Sequence, residues 1–212
     1  MKNSMQKLLA GATLCALLGA TLSACAPLIM GGAMMGTMMA IDRRTAGMQV
    51  EDEGIELRGA NRVREQLGER GHVNLTSYNR QVLLTGEVPS AQDKQLVEQL
   101  LSKVENVRSV VNELGVMENS TLTQRSSDTL ITGRVKASFV DAQDLFANAF
   151  KVVSERGVVY LMGRVTQREA NRATELTRTI DSVVKVVRVM EIISEEELQR
   201  MLPQPAPGEV KK

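Results

Sequence analysis

The sequence predicts an α+β fold made of two tandem copies of one unit, each with the element order αββαβ. The first observation is an internal repeat, in which Leu84-Thr-Gly86-Glu-Val88 recurs as Leu161-Met-Gly163-Arg-Val165 at an offset of 77 residues. The second is that both copies change in the same way from helical spacing to strand-like alternation and back. Each copy is therefore predicted to form a small three-stranded mixed sheet packed on two helices.

Apolar residues three or four positions apart mark the first helix of each copy. They are Ala60, Val63 and Leu67 in the first copy and Ile131, Val135 and Phe139 in the second. Matching Val63 and Leu67 to Val135 and Phe139 gives an offset of 72. The second copy is then expected to hold five additional residues between its first helix and its first strand.

The second helix of each copy begins at a sequence typical of a capping box, Ser90-x-x-Asp93 or Thr166-x-x-Glu169. The strands are predicted at 73–75, 81–85 and 107–116 in the first copy, and at 150–152, 158–162 and 183–193 in the second. Gly86 and Gly163 occupy the same place, late in the second strand. A glycine there marks a bulge or a close backbone approach, and its repetition favours a geometric requirement over a relaxed strand end.

Composition excludes several classes of function. Among 212 residues, 26 basic and 25 acidic side chains nearly balance, so nucleic acid is not expected as a partner. The chain has five aromatic residues, one histidine and two cysteines, Cys15 and Cys25, both near the amino end. These residues cannot supply a zinc site, a thiol nucleophile or a disulfide framework in the rest of the chain. We therefore expect neither a metal, nor a cofactor, nor an enzyme.

Residues 1–24 have the pattern of a secretory signal peptide, with Lys2 and Lys7 before an apolar run. Leu22-Ser-Ala-Cys25 follows and resembles the lipobox of bacterial lipoproteins, which implies cleavage before Cys25 and acylation of that residue. Ala26 after the cysteine, by the same resemblance, favours the outer membrane. The alternative is an ordinary signal peptide with a cysteine placed there by chance.

Residues 25–48 are predicted to form the lipidated cysteine and a flexible tether. The apolar stretch 26–41, rich in Gly and Met, is short for a membrane span, and a segment lying in the lipid interface is the alternative. The two domains are predicted at 49–118 and 126–194, and a disordered tail at 195–212. We interpret the acidic run at residues 51–53 as part of a solvated linker.

The paired Leu-x-Gly-x-Val motifs and the αββαβ order resemble the BON-domain family (bacterial OsmY and nodulation). The lipobox, the tether and the segments 42–50, 128–132 and 161–170 are similar to the dual-BON lipoproteins of the Gram-negative outer membrane. That resemblance implies a non-enzymatic protein, anchored in the outer membrane and facing the periplasm. It also implies that the second domain binds anionic phospholipid and that the protein supports outer-membrane integrity.

In that family the first helix of the second domain contacts lipid, with an aromatic residue near its start, where this chain has Leu130. Leu130 lies off the core stripe, beside the basic residues Arg134 and Lys136. Leu145 and Phe146 are expected in a loop as additional apolar wedges. The alternative is a solvated helix face with the loop residues directed into the core.

Two other features receive ordinary structural interpretations. Arg164, Arg168 and Arg172 recur every four residues, and we expect an ion-paired surface rather than a phosphate-binding stripe. We expect His72 to be a surface turn residue.

The main alternative to a lipid-binding module is a protein-binding scaffold or chaperone-like factor in outer-membrane protein assembly.

Overall fold

The structure of the protein, a computed structural model, describes residues 42–201. The predicted signal peptide, the predicted acylation site Cys25, the predicted tether as far as residue 41 and the tail beyond residue 201 lie outside the described residues. Within 42–201 the chain folds into two αββαβ domains, which confirms the α+β fold and the element order. In each domain the central strand pairs antiparallel with the strand before it and parallel with the strand after it.

The elements of the first domain are α1 (Ala46–Leu67), β1 (His72–Tyr78), β2 (Gln81–Val88), α2 (Ala91–Ser102), β3 (Ser109–Asn112) and β4 (Gly115–Val116). Those of the second are α3 (Leu122–Asp141), a short 3₁₀ turn (Ala147–Ala149), β5 (Phe150–Glu155), β6 (Val158–Thr166), α4 (Gln167–Arg178) and β7 (Lys185–Ile193). A last helix, α5 (Glu195–Met201), follows.

Three boundaries differ from the predictions. The strand expected at 107–116 is divided into β3 and β4, because Leu114 turns into the core between them. The tether prediction is wrong for residues 46–48, since Thr45 caps α1, which begins at Ala46. The disorder prediction is wrong for residues 195–201, which form α5 and bury Leu198 against the second domain.

Each sheet packs its own two helices on one face, and side chains that alternate along the central strand reach both faces. In β2, Val82 and Leu84 join the helix-side core, whereas Leu83 points the other way. In β6, Leu161 joins the helix-side core, whereas Met162 points the other way. The helix-side faces thus form two separate cores, one for each domain.

The two remaining sheet faces meet in a third apolar cluster. Its fully buried members come from both domains: Tyr78, Leu83, Tyr160, Met162 and Val189. The two domains therefore form a four-layer arrangement of helices, sheet, sheet and helices. A unit of about 70 residues buries a modest core on its own, so this shared layer supplies apolar burial that neither domain has alone.

Both β-hairpins turn through two residues with positive φ: Asn79 and Arg80 in the first domain, and Arg156 and Gly157 in the second. Such two-residue turns match the twist of the paired strands. In each domain a buried aspartate from the first helix accepts both turn amides. Asp52 accepts the N–H groups of Asn79 and Arg80 at 2.8 Å, and Asp128 accepts the equivalent two at 2.8 Å.

The aspartates correct the alignment of the two copies. Asp52 and Ile55 in α1 occupy the places of Asp128 and Ile131 in α3, at an offset of 76. The predicted offset of 72 matched the helices one turn out of register, and the second copy holds one additional residue before its first strand rather than five. The linker interpretation is also wrong for Asp52, which is buried in α1.

Candidate membrane-contacting surface

The outward face of α3 carries three large apolar side chains that are exposed to solvent. Leu122 is 80% exposed, Leu130 63% and Val140 71%. Leu122 and Val140 are five full turns apart and point in the same direction, and Leu130 lies within about 80° of both. The opposite side of the helix packs Ile131, Val135 and Phe139 into the core. The predicted core face and the predicted exposure of Leu130 agree with this arrangement.

Small residues fill the outward face between the apolar side chains. Gly133 and Ala137 are both exposed, and a Cβ on Gly133 would meet nothing within 4 Å. The surface is therefore smooth between Leu130 and Val140. A helix with this profile can lie flat on a lipid interface with its apolar side chains inserted.

Basic side chains flank the apolar stripe on both sides. Arg134 and Lys136 are exposed, and neither forms an ion pair with another residue in the range 42–201. Helical geometry places Arg134 on one side of the stripe and Lys136 on the other. Both charges are therefore available to an anionic surface, where each contributes about 1 kcal/mol.

Of the two wedges predicted in the loop after α3, one side chain is exposed and the other is buried. Phe146 is 55% exposed, as a wedge requires. The prediction is wrong for Leu145, which is 8% exposed and belongs to the core of the second domain. A turn in which the Leu145 N–H donates to the Ala142 carbonyl directs this side chain inward.

The acidic residues of this loop do not all oppose an anionic surface. Asp144 accepts a hydrogen bond from Arg172 Nε at 2.9 Å, so its charge is compensated. Arg164 pairs with Glu191 and Glu197, and Arg168 lies 3.8 Å from Glu195. The three arginines thus form the ion-paired surface that we expected, although their partners are not the neighbouring acids of α4.

The start of the described chain lies beside the outward face of α3. Asp42 lines a shallow groove together with Lys136 and Val140. The next residue, Arg43, is buried and makes two hydrogen bonds with Glu169, at 2.6 and 2.8 Å. A third bond joins Arg43 to the carbonyl of Arg164 at 2.9 Å. The second domain therefore fixes the point at which the amino-terminal segment leaves the fold.

The structure shows why Gly86 and Gly163 recur. Gly86 has a φ of +106° and Gly163 a φ of +157°. An added Cβ would overlap a backbone carbonyl of the neighbouring segment. At Gly86 it is the carbonyl of His72, and at Gly163 it is that of Ala149. These glycines allow the central strand to approach the segment that pairs with it, as the repeat suggested.

Sequence reasoning missed Leu122 and Val140. The signal for Leu122 was Thr121-x-x-Gln124, which forms a complete capping box and starts α3 earlier than we expected. The signal for Val140 was its helical position relative to Leu130.

No helix within residues 42–201 has the length and hydrophobicity needed to cross a bilayer.

Comparison with known proteins agrees with the fold. The BON domain model matches residues 60–118 and 127–194. The "Outer membrane lipoprotein DolP" of Haemophilus influenzae is 40% identical over 182 residues, covering 84% of this chain and 94% of that protein. The "21 kDa hemolysin" of Actinobacillus pleuropneumoniae is 32% identical over 155 residues, covering 72% and 80%. Neither relative is named as an enzyme. With two matched domains and this similarity along most of its length, the chain belongs to the BON-domain family and has a DolP-like dual-BON organisation.

Proposed function

We propose that this protein is a non-enzymatic lipoprotein that binds anionic phospholipid through the outward face of α3 and supports the integrity of the outer membrane. The observation that carries the proposal is the exposed apolar stripe of Leu122, Leu130 and Val140 between the unpaired cations Arg134 and Lys136. Apolar insertion and phosphate attraction act at the same face, which is what binding to a charged lipid interface requires.

The anchor belongs to the same proposal. A relative similar along most of the chain is named an outer membrane lipoprotein. Together with the lipobox motif, this supports cleavage before Cys25, acylation of Cys25 and a position on the periplasmic side of the outer membrane. The first described residue, Asp42, lines a groove with Val140 and Lys136, so the described chain begins beside the lipid-contacting helix.

Tethering explains how the small lipid-contacting face of α3 can be sufficient for membrane binding. Burial of one exposed leucine contributes about 1.5–3 kcal/mol, and each cation about 1 kcal/mol. Such a face binds weakly as an untethered molecule. An acyl anchor raises the effective concentration of lipid at the helix, so the second contact forms without a large affinity of its own.

Co-sedimentation with liposomes tests the proposal on the segment 40–212, which lacks the anchor. We expect binding to vesicles that contain phosphatidylglycerol and negligible binding to phosphatidylcholine vesicles. Leu130→Asp and Val140→Asp should each weaken binding at least about tenfold, because they place a charge in the inserted face. Leu57→Asp is the matched control, since Leu57 is 66% exposed on α1 of the first domain. Equal loss in all three variants would contradict the assignment to α3.

A second candidate function is a scaffold for outer-membrane assembly proteins. The observation that favours it is the position of β7 at the edge of its sheet, where it pairs with β6 on one side. Val184, just before this strand, and Ile192, near its end, are exposed. A partner strand can add to such an edge. Site-specific crosslinking from Ile192 in cells tests this candidate, and crosslinks to other copies of this chain alone would count against it.

A further inference from the structure

Three side chains with ligating atoms converge where the two domains meet. His72 begins β1 and is paired in register with Glu87 of β2, and Glu155 ends β5 of the other domain. One nitrogen of His72 and one oxygen from each carboxylate all lie within 4.8 Å of one another. His72 is therefore not the surface turn residue that we expected but part of a cluster shared by both domains.

Both carboxylates are buried, with exposures of 0% for Glu87 and 7% for Glu155. Glu87 accepts hydrogen bonds from the Arg156 Nε and from the Ser120 N–H. Glu155 accepts one from the neutral amide of Asn74 at 2.9 Å. Glu87 is thus paired with Arg156 and also contacts His72 Nδ1 at 3.3 Å, whereas Glu155 forms no ion pair within residues 42–201.

A buried charge without a partner is costly, and a protein removes that cost by binding a proton or a cation there. A cation at the point where the three side chains converge would compensate both carboxylates at once.

We propose that His72, Glu87 and Glu155 form a site for a divalent transition-metal cation of the zinc class. One imidazole nitrogen and two carboxylate oxygens are a ligand set suited to Zn²⁺, with a fourth position left for water. His72 and Glu155 also line a groove at the surface, whose charged lining includes Arg125 and Asp128 of α3 and through which an ion would enter. Glu87 can keep Arg156 on its other oxygen, because each carboxylate oxygen accepts more than one contact.

The ligands come from both domains, so the ion would link them. Binding to the folded state alone raises the stability by mass action. The cation would therefore act on the packing of the two sheets and not on the lipid-contacting face of α3. The proposal is independent of the proposed function, and either can fail without the other.

The test uses the full chain in detergent micelles, treated with EDTA and then dialysed. Addition of Zn²⁺ to about 100 times the dissociation constant is expected to raise the Tm by about 5 °C or more, and EDTA is expected to reverse the rise. Equilibrium dialysis with elemental analysis should find one Zn²⁺ that depends on this cluster. Ca²⁺ should produce a smaller rise, because imidazole is a poor ligand for it.

Glu155→Gln and His72→Gln identify the site. Glu155→Gln keeps an acceptor for Asn74 and removes the uncompensated charge, so the metal-free protein should fold with an unchanged or higher Tm. Both variants should bind Zn²⁺ at least about tenfold more weakly and lose the rise in Tm. Glu195→Gln, an exposed carboxylate on α5, is the matched control and should behave as the native chain. An unchanged Tm with Zn²⁺, or native Zn²⁺ affinity in both cluster variants, would overturn the proposal.

Discussion

Arg43 and Glu169 form a buried ion pair that joins the segment before α1 to the start of α4, 126 residues away. Glu169 is also the acid of the capping box, where it accepts the N–H of Thr166 at 2.9 Å. One carboxylate therefore caps a helix of the second domain and holds the amino-terminal segment of the first. The position of the segment before α1 against the second domain depends on this contact.

Removing Arg43 should lower stability strongly. Arg43→Ala leaves the buried Glu169 without its cation, and breaking such a pair costs about 3–5 kcal/mol. Urea unfolding of the segment 40–212 measures the change. Arg168→Ala is the control, because its pairing with Glu195 is exposed and should contribute less than about 1 kcal/mol. Equal effects of the two substitutions would show that the buried pair has no special role.

The same pair predicts a dependence on pH. Burial disfavours the charged form of Glu169, but Arg43 and the Thr166 amide outweigh it and hold the pKa of this carboxyl below its usual value of 4.5. A carboxyl with a lowered pKa in the folded state contributes stability above its unfolded pKa, and this contribution is lost as the pH falls through the folded value.

We therefore expect Glu169→Gln to lower the free energy of unfolding most near neutral pH. The difference from the native chain should shrink as the pH falls below about 4.5, because Glu169 is then protonated in both states of the native chain. Urea unfolding at a series of pH values between about 7 and 3 measures it. A difference that stays constant over this range would contradict the assignment.

The aspartates that hold the hairpin turns give a local prediction. Asp128→Ala leaves the amides of Arg156 and Gly157 without an acceptor and should cost about 1.5–3 kcal/mol. Hydrogen exchange at these two amides should accelerate more than at the rest of β5 and β6. Asp52→Ala should do the same at residues 79 and 80. Glu53→Ala, an exposed change in α1, should leave both turns protected.

A strand glycine and a helix glycine predict opposite signs for the same substitution to alanine. Gly163→Ala forces a Cβ into the Ala149 carbonyl at a positive φ, and we expect a loss of about 3 kcal/mol or more. Gly133→Ala, within α3 and in open space, should raise stability by up to about 1 kcal/mol. Thermal unfolding compares them. A tolerated Gly163→Ala would show that the strand can shift away from the carbonyl.

The sequence was sufficient for features that depend on local pattern. The repeat, the order of elements and the core face of α3 follow from the spacing of apolar residues such as Ile131 and Val135. The need for glycine at 86 and 163 followed from repetition alone. Leu130 was placed correctly because helical geometry separates it from the core stripe.

The errors involve contacts between distant residues. Leu145 and Phe146 are adjacent in sequence, and only the tertiary fold decides that one is buried and the other exposed. In the sequence, Asp52 is one of three consecutive acids and is interpreted as solvated. In the fold it is buried because it binds the hairpin turn that lies 27 residues later. The Arg43–Glu169 pair and the shared apolar layer require the docking of two domains, which local periodicity does not encode.

The central claim is that the outward face of α3 contacts anionic lipid, and mapping backbone amides by NMR during a lipid titration tests it most directly. The segment 40–212 would be titrated with micelles containing phosphatidylglycerol. We expect shifts concentrated at residues 122–146, strongest near Leu130, Val140 and Phe146, and absent with neutral lipid. A map centred on the first domain, or on β7, would contradict the account.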